Sequence, residues 1–213
     1  MIMIKLISSL IIMIGIFGIA SAQNAVKVAC VGNSITQGPG RDHPESYPFQ
    51  LQYILGKEFL VKNYGVSGRT LLKKGDFPYW DEPQFEEVLE FSPQILIIKL
   101  GTNDSKPQNW IHKNEFKKDY LDMIATFKSS MEKDAKIFIC IPVPVTEDNY
   151  GITESVLVNE MRPLLYEVAE ETGASIIDLY TPFQGKNELL PDGVHPNIEG
   201  LGIMAREIAK AIK

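Results

Sequence analysis

The sequence predicts an α/β protein: one parallel five-stranded sheet sandwiched between helices. Three observations carry this. Five short apolar runs of strand length are rich in Val and Ile and apolar on both faces, as parallel strands covered by helices must be. Segments of helical period lie between them. The alternation runs on without a break in composition or an internal repeat. With 213 residues, 45% hydrophobic and 23% charged, the chain suits a single domain with a sizeable core. That composition excludes disordered, collagen-like and coiled-coil proteins.

The first element is an address rather than part of the fold. Residues Met1 to Ala22 carry one charge, Lys5, followed by an apolar stretch from Leu6 to Ala20. The stretch is shorter than the roughly 20 residues a spanning helix needs, and it ends in Ala20-Ser21-Ala22, a small-x-small pattern suited to signal peptidase. A signal peptide over residues 1–22 and a mature domain over 23–213 are expected. The protein is then exported, periplasmic or secreted, with no stable membrane insertion after cleavage. Retention as an uncleaved anchor is the alternative.

The expected strands are Val26–Gly32, Phe59–Tyr64, Gln94–Leu100, Lys136–Ile141 and Ala174–Leu179. The clearest helix carries Phe116, Tyr120, Ile124, Phe127 and Met131 on one face, with Asn114 as its cap and Asp134 just past its end. A second runs from about Thr153 to Thr172, stops at Gly173 and should kink or break at Pro163. A third, Ile198 to Ile212, closes the chain, with Gly200 and Gly202 weakening its first turn. Cys30 and Cys140 lie inside apolar strands and read as buried small hydrophobes. Export would permit a bridge between them only if their Cα atoms came within about 7 Å.

In a parallel α/β sheet, reactive groups gather at the carboxyl ends of the strands, and four motifs lie there. The first strand ends in Gly32-Asn33-Ser34-Ile35-Thr36. A Ser just after a strand can present its hydroxyl at the sheet edge, although a plain turn has the same pattern. The second ends in Asn63-Tyr64-Gly65-Val66-Ser67-Gly68, where glycines allow close backbone approach and positive φ. The third runs into Gly101-Thr102-Asn103-Asp104. Its Asn can donate to an oxyanion or simply make an Asx turn or helix cap. Near the C-terminus stands Pro191-Asp192-Gly193-Val194-His195-Pro196, in which Asp192 can orient His195 as a base toward Ser. Asp178 competes with Asp192 for that role or caps the turn into Tyr180-Thr181-Pro182. His43 and His112 read as rim residues, and Arg69 as an exposed loop cation. Phe77, Tyr79, Trp80, Trp110 and Tyr150 fall in loops, where aromatics either line a sugar or acyl site or pack the loops.

The four blocks Gly-Asn-Ser-Ile-Thr, Asn-Tyr-Gly-Val-Ser-Gly, Gly-Thr-Asn-Asp and Asp-Gly-Val-His-Pro, in this order, resemble the SGNH superfamily of GDSL-type esterases and lipases. The resemblance spans Val28 to the final helix. It implies a flavodoxin-like three-layer sandwich with strand order 2-1-3-4-5. It also implies Ser34 as nucleophile, His195 as general base, Asp192 as its orienting acid, and an oxyanion hole of the Ser34 and Gly68 N–H groups with the Asn103 amide. The chain departs from the family name at Asn33, where Asp is usual. That position precedes the nucleophile and leaves the triad intact.

The expected activity is ester hydrolysis through an acyl-enzyme, without metal or cofactor. The mature chain leaves no room for a large lid, so a short acyl group on a bulky alcohol fits best. Export and loop aromatics favour deacetylation of carbohydrates such as plant polysaccharides or sialic acids. Lysophospholipase or thioesterase activity, a non-catalytic carbohydrate-binding module and flavin binding are the rivals. A net charge of -6 and the lack of any basic run exclude a nucleic-acid partner.

Overall fold

Each of the five apolar runs forms a strand in the computed structural model, which describes residues 25–213. The signal peptide expected over residues 1–22 lies outside the described residues. β1 (Val26–Gly32) and β4 (Lys136–Ile141) have the expected bounds. β2 (Phe59–Gly65) is one residue longer, and β3 (Ile95–Lys99) and β5 (Ser175–Asp178) are one shorter at each end. All pair in parallel, in the order β2-β1-β3-β4-β5.

Strand alternation divides the core into two layers. Ala29, Val31, Leu96, Ile98, Ile137 and Ile139 face α3 (Pro83–Phe91), α5 (Lys113–Lys128) and α7 (Arg162–Thr172). Val28, Cys30, Ile95, Ile97, Phe138 and Cys140 face α2 (Tyr47–Leu55) and α8 (Ile198–Ile212). The central β3 is buried along its whole length, whereas the edge strands β2 and β5 expose every second residue or so. The direction in which successive strands are added switches between β1 and β3: β2 lies on one side of β1, and β3 with its successors on the other. A crevice therefore opens beyond their carboxyl ends, the place where open α/β sheets bind ligands.

The helices show where local pattern yields to context. α5 begins at Lys113 with His112 at its cap position, so Asn114 lies in the first turn and caps nothing. The short α4 (Pro107–Trp110) has already turned the chain, and backbone bonds from His112 to Asn109 and from Glu115 to His112 carry it directly into α5. At the other end the Ser129 and Ser130 hydroxyls donate to the carbonyls of Thr126 and Phe127. This competition for helix acceptors stops α5 before Met131, which still packs on the core, and leaves Asp134 further along the connection. The break expected at Pro163 takes the form of α6 (Glu154–Val156), a π-helical turn over Leu157–Met161, and α7. Pro163 sits in the first turn of α7, where its missing N–H costs nothing, and Gly173 ends the helix at φ 71°. α8 has the expected bounds. Asn197 caps it through Gly200 N–H at 3.0 Å. A Cβ on Gly200 would lie 2.9 Å from the Pro196 side chain, so close packing demands glycine there.

Cys30 and Cys140 are free and fully buried. β3 separates their strands, and two strand spacings keep the Cα atoms about 9.5 Å or more apart, beyond disulfide reach. Burial raises both thiols, that of Cys140 to about 12.

Lys99 is the polar intruder of the sheet. It is 1% exposed, its ammonium donates to Thr102 Oγ1 at 3.1 Å, and burial lowers it to about 7. Between pH 7 and the unfolded value of 10.5 the unfolded chain binds the extra proton, so this residue's contribution to stability rises with pH across that window and is least favourable below it. Lys99→Met should therefore be more stable than the parent at pH 6, on the order of 3 kcal/mol, with the gap shrinking toward pH 10. Urea midpoints at pH 6, 8 and 10 measure this. A pH-independent difference would contradict it.

Candidate active site

The turn after β1 is built for a side chain at the sheet edge. A Cβ on Gly32 would lie 2.0 Å from Thr36 Oγ1 and 2.8 Å from the Lys99 carbonyl, so only glycine allows the chain to fold back so tightly. Asn33 is buried and caps the four-residue α1 (Ser34–Gln37), its Oδ1 accepting from Ile35 N–H at 3.1 Å. This is the local hydrogen bonding that an Asn retains at a position where Asp is usual in the family it resembles. Ser34 is left partly exposed as the first residue of α1.

Ser34 Oγ lies 2.8 Å from His195 Nε2, across 161 positions of sequence. His195 Nδ1 lies 2.7 Å from Asp192 Oδ2, and Asp192 Oδ1 accepts from the N–H groups of His195 at 2.7 Å and Val194 at 3.0 Å. Partial burial opposes ionisation of Asp192, but these N–H groups and the imidazole outweigh it and hold the carboxyl at about 2. An ionised Asp192 fixes the Nδ1–H tautomer. Nε2 is then the free acceptor for the Ser34 proton, the arrangement that activates a serine for acyl transfer.

The oxyanion candidates are stitched to the same edge. Gly65 packs so closely on α1 that a Cβ would lie 2.2 Å from Gln37 N, and Ser67 N–H donates to Gln37 Oε1 at 2.7 Å. Gly68 follows at φ 81°, a left-handed conformation that favours glycine. The Ser34 and Gly68 N–H groups have no acceptor among the described residues. Asn103 opens a 3₁₀ turn after β3, and its Nδ2 donates to the Arg69 carbonyl at 3.1 Å, which leaves its second hydrogen uncommitted.

Other candidates settle elsewhere. Asp178 accepts from Tyr180 N–H, Thr181 N–H and the Thr181 hydroxyl, so it caps that turn and does not touch His195. His43 lies at the surface beside Glu45, and His112 at the start of α5. Arg69 is held by Glu82 at 2.6 Å and packs over Phe77. Tyr79, Trp80 and Trp110 are packing residues, bonded to Tyr64, Leu71 and Glu160 respectively. Phe77 and Tyr150 are exposed.

Two sets of contacts escape a local reading, those of Asp104 and the one between Tyr150 and Asp192. Asp104, fully buried, accepts from the N–H groups of Leu71 and Leu72 at 3.0 and 2.7 Å and clamps the loop after β2 to the loop after β3. Burial pushes its carboxyl up to about 6 against those bonds. Its partners lie more than thirty residues earlier, so no adjacent pattern announces them. Tyr150 donates its hydroxyl to Asp192 Oδ2 at 3.2 Å. The site is open: the His195 and Asp192 side chains are 36% and 32% exposed. A groove of 840 Å³ beside β2, lined by Arg41, Phe49, Lys62 and Phe91 among others, contains none of these residues.

Residues 30–202 match the model of the GDSL-like Lipase/Acylhydrolase family. An acetylxylan esterase of Xylanibacter ruminicola is 41% identical over 91% of this chain and 44% of its own length. A multidomain esterase of Ruminococcus flavefaciens is 22% identical over 88% of this chain and 28% of its own length. The chain thus spans less than half the length of these curated relatives. Among solved structures, the acetyl xylan esterase AlAXEase superposes with a TM-score of 0.70 at 20% identity, covering 88% of this chain and 100% of the other.

Asp192→Asn would present an amide N–H₂ to Nδ1 and drive the ring proton onto Nε2. Turnover of a small aryl acetate should fall by about 10⁴-fold, as it does when a serine triad loses its carboxylate, with circular dichroism unchanged. A loss under tenfold would show that Asp192 does not set the tautomer.

Proposed function

The chain belongs to the GDSL-like Lipase/Acylhydrolase family, and from that premise we propose that it is an exported carbohydrate acetylesterase working through an acyl-enzyme on Ser34. The single observation that carries the mechanism is the continuous hydrogen-bonded chain Ser34–His195–Asp192 at 2.8 and 2.7 Å. The choice of acetylated carbohydrate rests on the relatives named acetylxylan esterase and on the openness of the site. The signal-like segment of residues 1–22 supports action in the periplasm or outside the cell.

In the first half-reaction His195 Nε2 accepts the Ser34 proton as Oγ attacks the ester carbonyl carbon. The tetrahedral oxyanion takes hydrogen bonds from the Ser34 and Gly68 N–H groups and the Asn103 amide. Collapse breaks the bond to the sugar oxygen, which leaves with the proton carried by His195. Water then gives a proton to His195 and its oxygen to the acetyl carbon, and the second collapse releases acetate and restores the Ser34 hydroxyl. Asp192 takes no proton in either half-reaction; it orients the imidazole and stabilises the imidazolium.

Acetate release from acetylated xylan should drop to background in Ser34→Ala. Asn103→Ala should lose about 10²–10³-fold in kcat with little change in KM, because an oxyanion donor acts mainly in the transition state. Among aryl esters, acetyl should be preferred to decanoyl. Full activity of Ser34→Ala removes the nucleophile, and preference for decanoyl removes the acetylesterase reading.

A further inference from the structure

Tyr150 breaks a local rule, and nothing in the core repays it. Asn149 and Ile152 form a two-residue turn closed by Ile152 N–H donating to the Asn149 carbonyl at 2.8 Å. Both central residues have positive φ, 55° at Tyr150 and 77° at Gly151. That pattern belongs to the type I′ turn, whose first central position is dominated by Asn, Asp and Gly. A bulky aromatic is poorly suited to it, and a non-Gly residue at positive φ is uncommon. Tyr150 is also 56% exposed, so burial does not account for it. Such violations concentrate at functional sites.

The turn is pinned against the catalytic loop. Asn149 Nδ2 donates to the Asp192 carbonyl at 3.0 Å, and Thr146 N–H donates to the Gly193 carbonyl at 2.9 Å. Gly193 fits so tightly that a Cβ would lie 2.6 Å from the Glu147 carbonyl. Ile152 is buried and anchors the far side. The result is a preorganised ring beside the base: the Tyr150 centroid is 5.6 Å from that of His195 at 70°, and its hydroxyl rests on Asp192 Oδ2. The neighbouring carboxylate raises the phenol above its ordinary value, which keeps it protonated as a donor.

Acyl transfer determines what lies next to His195. The imidazolium must hand its proton to the departing alkoxide, so the alcohol portion of the ester sits on the His195 side, away from the donors that hold the carbonyl oxygen. We propose that Tyr150 is the subsite for that alcohol: its exposed ring packs on the apolar C–H face of a pyranose and sets the acetylated oxygen beside His195 Nε2. This rests on the carbohydrate acetylesterase reading and extends it by naming the surface that recognises the sugar.

The test compares kcat/KM for an acetylated xylo-oligosaccharide with that for an aryl acetate in the parent, Tyr150→Asn, Tyr150→Phe and Tyr150→Trp. Asn suits the turn better than Tyr, so Tyr150→Asn separates loss of the ring from loss of fold. The oligosaccharide-to-aryl ratio should fall about tenfold in Tyr150→Asn, mainly through KM for the oligosaccharide, and stay within threefold of the parent in the Phe and Trp variants. An equal fall on both substrates would make Tyr150 a support for Asp192 only and overturn the proposal. An unchanged ratio in Tyr150→Asn would overturn it as well. A parent that turns over the aryl acetate but not the oligosaccharide would overturn the carbohydrate reading itself, and this subsite with it.

Discussion

Five parallel strands must end on the same edge, and that constraint organises the molecule. A parallel sheet is buried on both faces, so each connection has to cross as a helix and return. Loops distant in sequence are thereby delivered to one rim. β1 lies next to both β2 and β3, with Gly32 registered against Gly65 and Lys99. The turns carrying Ser34, Gly68 and Asn103 emerge from these three neighbours. The loop before α8 brings His195 to within 2.8 Å of Ser34.

Apolar packing positions the strands, while polar clamps position the loops. Asp104 ties the connection after β2 to the turn after β3, Asn103 bonds the Arg69 carbonyl, Gln37 holds Ser67, and Asp192 gathers Val194, His195 and Tyr150. Buried polar groups are costly unless bonded. Burial raises the carboxyl of Asp104 and lowers the ammonium of Lys99 for that reason. A purely apolar rim would be more stable but could not hold donors in fixed directions.

Elements specified by a long apolar period or a sharp stereochemical demand were readable from sequence. β1, β4 and α8 match residue for residue, the Pro163 break is present, and Gly32 and Gly68 stand where backbone geometry requires them. What escaped depends on partners remote in the chain. Asn114 fails as a cap because α4 delivers the chain already turned, and Met131 falls outside α5 because two serine hydroxyls bond the carbonyls of Thr126 and Phe127. Lys99 hides within an apolar run, and only the packed sheet reveals an ammonium bonded to Thr102. Of the five loop aromatics, three pack or bond inward, and composition alone could not separate them from Phe77 and Tyr150.

The proposed chemistry requires Ser34 to be a nucleophile made reactive by His195. Incubation with a fluorinated alkyl phosphonate, followed by digestion and mass spectrometry, reads this directly. One adduct per chain is expected, on Ser34, formed in step with loss of esterase activity and strongly slowed when His195 is replaced by Ala. Complete inactivation with the phosphonate on another residue, or persistent activity with Ser34 fully modified, would contradict it.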